Sequence, residues 1–180
     1  MNVSRGVVIL WVWAAVLVVH VLPATVNADM IYNFERVTNN AGLYLGSLMQ
    51  VTVSSPGTGQ VSFEFKNLAI SYPDSFIAQA YFDDVDLVPL LSSPVITNAA
   101  TVNFIVPSVP PVLPGGNTLT PAFEEDWVFG ATPSLKDNGI HPFGVPDNDL
   151  VTITFQGDYG SVIDAIGSDD LRIGIHIQGL

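Results

Sequence analysis

A chain of 180 residues without cysteine has to be stabilised by burial and backbone pairing, because no disulfide can form. Its 17 acidic residues stand against 5 Lys and Arg, and the formal net charge is −12. This balance argues against nucleic acid and anionic lipid as partners, because a negative surface repels phosphate groups.

The first 28 residues have the pattern of a secretory signal peptide. Arg5 supplies the positive start, residues 7–22 form an apolar run, Pro23 breaks that run, and small residues follow up to Ala28. This order is typical of a segment that is cut off during export. It predicts that the rest of the chain works outside the cytoplasm.

The competing interpretation is an uncleaved membrane anchor. The apolar run is shorter than the about 20 residues that span a bilayer, and it contains His20, which is costly at membrane depth. We therefore expect signal peptidase to cut between Ala28 and Asp29, with no stable membrane span after processing. Residues 29–180 then form one domain.

After the signal, three segments alternate apolar and polar residues with the period of a β-strand. The apolar positions are Val61, Phe63 and Phe65; Val151, Ile153 and Phe155; and Leu171, Ile173, Ile175 and Ile177. Weaker strand candidates cover residues 31–37, 48–53, 77–83 and 101–106.

Turn signals separate these strands at short intervals. Residues 54–59 predict a hairpin, and the Pro/Gly-rich residues 107–116 predict a surface loop with polyproline II character. One short helix is predicted over residues 161–167, with Ser161 as its cap and Gly167 at its end. The fold class expected is all-β: an antiparallel β-sandwich, jelly-roll-like, with this one helix.

Catalytic motifs are absent from the sequence, so we expect no enzyme activity. His141 and His176 are the two histidines after the signal, and neither is accompanied by a G-x-S-x-G motif. A glycoside hydrolase would need two carboxyl groups on either side of a sugar-binding cleft. The candidates for that pair are Glu64, Glu124, Glu125 and Asp126, with Trp127 and Phe129 as an aromatic platform.

Acidic clusters leave a weak calcium hypothesis open. Asp83, Asp84 and Asp86 are the candidate ligands, although the EF-hand spacing is missing. The alternative function is therefore a calcium-assisted carbohydrate-binding module, with aromatics beside these carboxylates. Its candidate aromatic residues are Tyr81, Trp127 and Phe129. Otherwise no cofactor is expected.

Four stretches carry a resemblance to a known group of proteins. They are MIYNFE at residues 30–35, GQVSFEFKN at 59–67, AYFDD at 80–84 and DDLRIGIHIQG at 169–179. In this order they resemble exported proteins that carry a PEP-CTERM sorting tail, which an exosortase processes.

The resemblance implies a surface or matrix protein of a Gram-negative bacterium that makes exopolysaccharide. The expected partners of this protein are the export machinery and the exopolysaccharide. The family's tail has a Pro-Glu-Pro motif, an apolar span and a basic end, and this sequence reaches Leu180 without them. The expected location is the cell surface if a tail is encoded downstream, and otherwise the periplasm or the extracellular space.

Overall fold

The computed structural model describes residues 27–38, 45–84, 89–109, 111–144 and 147–179. Its strands are β1 (Met30–Asn33), β2 (Met49–Ser54), β3 (Gln60–Asn67), β4 (Phe76–Asp84), β5 (Ser92–Asn98), β6 (Phe104–Ile105), β7 (Trp127–Ala131), β8 (Val151–Gln156) and β9 (Leu171–Gln178). Its helices are α1 (Leu135–Asn138) and α2 (Tyr159–Ser168), and 3-10 turns cover Gly46–Leu48 and Gly116–Thr118.

The strands form two antiparallel sheets. Sheet 1 has the order β1-β2-β3-β8-β5, and sheet 2 has the order β6-β7-β4-β9. After β3 the chain passes repeatedly from one sheet to the other, a connectivity shared with jelly rolls. The prediction of an antiparallel all-β sandwich is confirmed.

The predicted alternation places the core side chains correctly. Val61, Phe63 and Phe65 of β3 are fully buried, and the apolar residues of β8 are buried beside them. Ser62 points away from the core but is also buried, and its hydroxyl lies 2.7 Å from that of Thr154. This cross-strand hydroxyl pair satisfies both groups and fixes the β3–β8 register.

Phe82 of β4 joins the two sheets at the centre of the sandwich. Its ring is 4.9 Å from Phe63 and 5.1 Å from Phe155, measured between centroids, and both contacts are edge-to-face. Rings of this kind gain about 0.5–1.5 kcal/mol beyond their buried area. Aromatic packing between the sheets thus stabilises a chain that contains no disulfide.

A loop covers the outer face of sheet 2, where the sequence predicts a surface loop over residues 107–116. Leu113 and Phe123 from this connection are buried against Tyr81 and Val128. Strand β4 is therefore covered on both faces, and the prediction that this loop lies at the surface holds for Val109 and Val112 but not for Leu113.

Helix α2 is longer than predicted and has a different cap. It covers Tyr159–Ser168, and the carboxylate of Asp158 accepts a hydrogen bond from the backbone N–H of Ser161 at 2.9 Å. Asp169, in the left-handed conformation at φ 64°, ends the helix. The prediction of Ser161 as the cap was wrong, because the helix begins two residues before Ser161 and Asp158 accepts from the N–H of its third residue.

Two strands were not predicted from the sequence. Strand β5 contains Pro94 and a register break between Ser92 and Val95, which hide its alternation. Strand β7 is buried at four of its five positions and has no polar face to show a period of two. In contrast, the predicted strands at residues 31–37 and 101–106 shrink to Met30–Asn33 and Phe104–Ile105.

Candidate functional site

The three candidate calcium ligands do not converge in the described part of the chain. Asp83 faces outward from sheet 2, where its buried carboxylate binds the guanidinium of Arg172. Asp84 is the next residue of the same strand and therefore points to the other face. Asp86 lies outside the described residues. Adjacent positions of a regular strand cannot direct both side chains to one metal ion.

The carboxylates of Asp84 and Asp126 accept hydrogen bonds from backbone N–H groups. Asp84 accepts hydrogen bonds from the N–H groups of Leu90 at 2.6 Å and Leu91 at 3.3 Å. Its own N–H group donates to Asp126 at 2.8 Å. These bonds fix the start of β5 and the start of β7 to the end of β4. Among the described residues, no group of three or more His, Asp or Glu side chains is arranged to hold a metal ion.

Of the carboxylates proposed for glycoside hydrolysis, Glu64 lies on the opposite side of the sandwich from Glu125. Glu64 is on the outer face of sheet 1, 2.5 Å from the ammonium group of Lys66. Glu125 accepts a hydrogen bond from the N–H of Leu113 at 2.6 Å, on the outer face of sheet 2. Both sheets separate Glu64 from Glu125, so this pair does not face one cleft as a glycosidase pair must, and the carboxylate of Asp126 accepts from the backbone N–H of Asp84.

The proposed aromatic platform is also absent. Phe129 and Tyr81 are fully buried, and Trp127 packs edge-to-face on Phe155 with 5.7 Å between centroids. Alternation along β7 turns Phe129 into the core and Val128 toward Leu113. The interpretation of Phe129 and Tyr81 as exposed sugar-binding aromatics was wrong.

His141 belongs to a polar cluster that the sequence did not reveal. Its ring Nδ1 and its backbone N–H both lie 3.2 Å from one carboxylate oxygen of Asp149. The hydroxyl of Thr101 donates to the other oxygen of the same carboxylate. The hydroxyl therefore contacts the aspartate and not the histidine, and it is not placed for activation by His141 as a nucleophile is.

His176 belongs to a second polar cluster, on the outer face of sheet 2. Its Nδ1 lies 2.9 Å from the side-chain oxygen of Gln79, which also accepts a hydrogen bond from the Tyr81 hydroxyl at 2.7 Å. Burial lowers the pKa of His176 below 6.5. Burial, together with the nearby Glu125 carboxylate, raises the pKa of Tyr81. Both groups are thus held neutral at pH 7.

A groove of about 600 Å³ lies beside β9. One wall is strand β9 itself, and the opposite wall is the chain from Tyr32 to Thr38. Leu113 and Phe123 of the covering loop close the outer side, and Ile166 of α2 closes one end. We call this space the β9 groove. It exists because β1 and β9 are the edges of the two sheets on the same side of the sandwich.

The isoleucines of β9 explain why the sequence predicted the strand but not the groove. Ile173, Ile175 and Ile177 alternate as a core row would, and they pack on the edge of the core. They are nevertheless half-buried, because they line the groove as well. Apolar residues alternate with the same period of two whether their side chains are half-buried or fully buried. The sequence therefore contains no signal that distinguishes a groove-lining strand from a core strand.

The predicted cleavage site lies against α2. The carbonyl oxygen of Ala28 accepts a hydrogen bond of 2.5 Å from the hydroxyl of Tyr159, and β1 begins two residues later. Residues 1–26 of the predicted signal lie outside the described residues. None of the helices that the structure describes is long and apolar enough to cross a membrane.

Comparison with known proteins adds no functional assignment. No family model matches the chain. Neither a curated protein nor a solved structure is detectably similar to it.

Proposed function

We propose that this chain is a non-enzymatic exported protein of the cell surface or extracellular matrix. The observation that carries the proposal is that the described carboxylates near the candidate sites have structural partners. Asp83 binds Arg172, Asp84 and Glu125 accept from backbone N–H groups, and Asp149 holds His141 and Thr101. The carboxylates of Asp83, Asp84 and Glu125 stabilise loops in this way, and the Thr101 hydroxyl contacts Asp149 and not His141, so this hydroxyl is not paired with a base.

Export is supported by the signal-like first 28 residues and by composition. A formal charge of −12 keeps a protein soluble and monodisperse outside the cell. The resemblance to exported proteins with a PEP-CTERM sorting tail supports a matrix role. Its four stretches fall mainly on β1, β3, β4 and β9, which are structural strands.

The alternative of a calcium-assisted carbohydrate-binding module has less support. Two of its three aromatic residues, Tyr81 and Phe129, are buried, and the carboxylate of Asp83 is taken by Arg172. A glycoside hydrolase has less support still, because Glu64 lies on the opposite face from Glu125.

Export is tested by expressing the full chain in a Gram-negative host and sequencing the N-terminus of the protein outside the cytoplasm. The expected product begins at Asp29. The variant Ala28→Leu, with a large side chain before the cleaved bond, should accumulate as the uncut precursor. Ala24→Leu is the matched control, because it changes the same segment away from the bond. Full-length protein retained in the cytoplasm would contradict the proposal.

The matrix role is tested by fractionating cells that make exopolysaccharide, before and after the polysaccharide is removed enzymatically. The protein is expected in the matrix fraction and should be released with the polysaccharide. Recovery only as free periplasmic protein, with or without polysaccharide, would contradict a matrix role while leaving export intact.

A further inference from the structure

The two described sheets have four edges, and three of them carry features that block the addition of another strand. Strand β1 has four residues and β6 has two. Strand β5 contains Pro94 and a register break between Ser92 and Val95. Short edges, proline and irregular register are the usual means by which proteins prevent edge-to-edge pairing.

Strand β9 is long and has no proline, and its pairing with β4 shifts register once, between Ile77 and Gln79 near the C-terminal end of β9. It has eight residues without proline or lysine, and it pairs with β4 in regular register from Leu171 to His176. Its single formal charge, on Arg172, is bound to Asp83. No second described strand pairs with β9. Its free edge therefore presents backbone N–H and C=O groups beside the β9 groove.

The groove is shaped for one extended chain. Its apolar row of Ile173, Ile175 and Ile177 repeats every second residue, which matches the side-chain spacing of a strand laid alongside. The outer side is closed where Thr38 approaches Gly115, and a Cβ on that glycine would lie 2.5 Å from the Thr38 methyl group.

The charges at one end of the groove favour one direction for a segment bound in it. Asp169 lines the groove where α2 ends and β9 begins, and Asp164 and Asp170 are exposed on the same turn of chain. The other charged residues of the lining are Glu35, Arg36 and Arg172, and the charge of Arg172 is bound by Asp83. The whole chain adds a field of net charge −12. A cationic group at the matching end of a bound segment is attracted by both, whereas a second copy of this chain is repelled.

We propose that the β9 groove binds an extended polypeptide segment of a partner protein by strand addition to β9. The segment carries apolar side chains at every second position, which pack on the isoleucine row, and lysine or arginine at the end near Asp170. Main-chain hydrogen bonds to β9 supply affinity, and the alternating side chains supply register. This inference concerns a binding site and holds whether or not the protein belongs to a matrix.

The probe is a labelled peptide of about ten residues, the upper length of an ordinary strand, in which valine alternates with threonine and two lysines stand at one end. Its matched control has the same sequence with N-methyl groups on alternate residues, which remove the N–H donors of one edge. Binding is measured by fluorescence anisotropy at low salt and mapped by hydrogen exchange. We expect saturable binding of the first peptide, at least tenfold weaker binding of the second, and slower exchange in Leu171–Gln178.

Two variants test the groove against matched controls. Ile175→Lys places a charge in the isoleucine row and should abolish binding, whereas Val95→Lys on the exposed face of edge strand β5 should not. Asp164→Lys should weaken binding about fivefold at low salt and little at high salt. The matched control is Asp137→Lys, which changes an exposed helical carboxylate and should have no effect on binding. Circular dichroism checks that each variant is folded.

Three results would overturn the proposal. The first is equal binding of the peptide and its N-methylated form, which would mean that strand pairing is not involved. The second is a protein that sediments as a dimer with β9 already protected, which would assign the edge to a second copy. The third is protection of β9 by a uronate polysaccharide such as alginate but not by the peptide, which would assign the groove to carbohydrate.

Discussion

Arg172 and Asp83 face each other across the β4–β9 pair, and their ion pair holds the covering loop onto sheet 2. The same guanidinium donates to the carbonyl oxygens of Pro121 at 2.7 Å and Ala122 at 2.6 Å. The carboxylate of Asp83 also accepts from the N–H of Glu124 at 3.0 Å. One pair of charges thus joins two strands and the loop between β6 and β7.

Arg172→Ala should destabilise the protein by about 3–5 kcal/mol, because it leaves the buried charge of Asp83 without its partner. Urea unfolding at pH 7 measures the change. The control is Glu64→Gln, which breaks the partly exposed pair with Lys66 and should cost less than about 1 kcal/mol. Equal costs for the two variants would show that Asp83 is not buried as described.

Phe63→Asp should unfold the domain. Its side chain is fully buried between Phe82 and Phe155, and removal of such a ring alone costs about 3–5 kcal/mol before the buried carboxylate is counted. Glu64→Ser, one residue later on the outer face, should be nearly neutral. Far-ultraviolet circular dichroism and thermal melting compare the two, and equal tolerance would contradict the β3 register.

Leu113 and Gly174 test whether the loop packs directly on β9. A Cβ at Gly174 would lie 2.8 Å from a methyl carbon of Leu113, so Gly174→Ala should cost about 1–3 kcal/mol by overpacking. Leu113→Ala should cost about 2–4 kcal/mol by leaving a cavity. The double variant should be more stable than the sum of the two predicts, because the smaller residue relieves the clash. Strict additivity would mean that the loop does not contact β9.

His176 should make stability fall on mild acidification. Its native pKa is lowered by burial, so between pH 6.5 and that lower value the unfolded chain binds a proton that the folded protein does not. The urea midpoint should therefore drop more between pH 7.5 and pH 5 in the natural protein than in His176→Gln. An identical drop in both would contradict burial of the imidazole against Gln79.

Asp158 should contribute a separate pH dependence at lower pH. Hydrogen bonds from the N–H and hydroxyl of Ser161 lower its pKa below 3.8 in the folded protein. Its contribution is present above the unfolded pKa and is lost as the pH falls through the native value. Asp158→Asn keeps a capping oxygen at every pH, so its melting temperature relative to the natural protein should rise between pH 5 and pH 2.5. An unchanged difference would exclude Asp158 as the cap.

The sequence was sufficient for features that depend on neighbouring residues. Period-2 alternation predicted β3, β8 and β9, and the Pro/Gly residues at 54–59 predicted the β2–β3 hairpin, which the antiparallel register confirms. It failed for β5 and β7, where proline in one and burial of both faces in the other remove the alternation.

The candidate sites could be predicted only as lists of residues. Asp83 and Asp84 are adjacent in the chain, yet the pleat turns them to opposite faces. The pairing of Asp149 with His141 and Thr101 joins loops whose contact depends on the packing of the two sheets. The spacing of residues along the chain does not predict contacts between loops that only the packing of the sheets brings together.

By itself the sequence determined an acidic, cysteine-free chain with a signal-like start and strands that bury one face. Only the tertiary structure decided that a loop covers sheet 2, that Arg172 neutralises Asp83, and that the edge of β9 opens on a groove. Local periods follow from backbone geometry within a few residues. Which strand becomes an edge depends on the order of all nine strands in the two sheets described, and that order is set by packing between residues far apart in the chain.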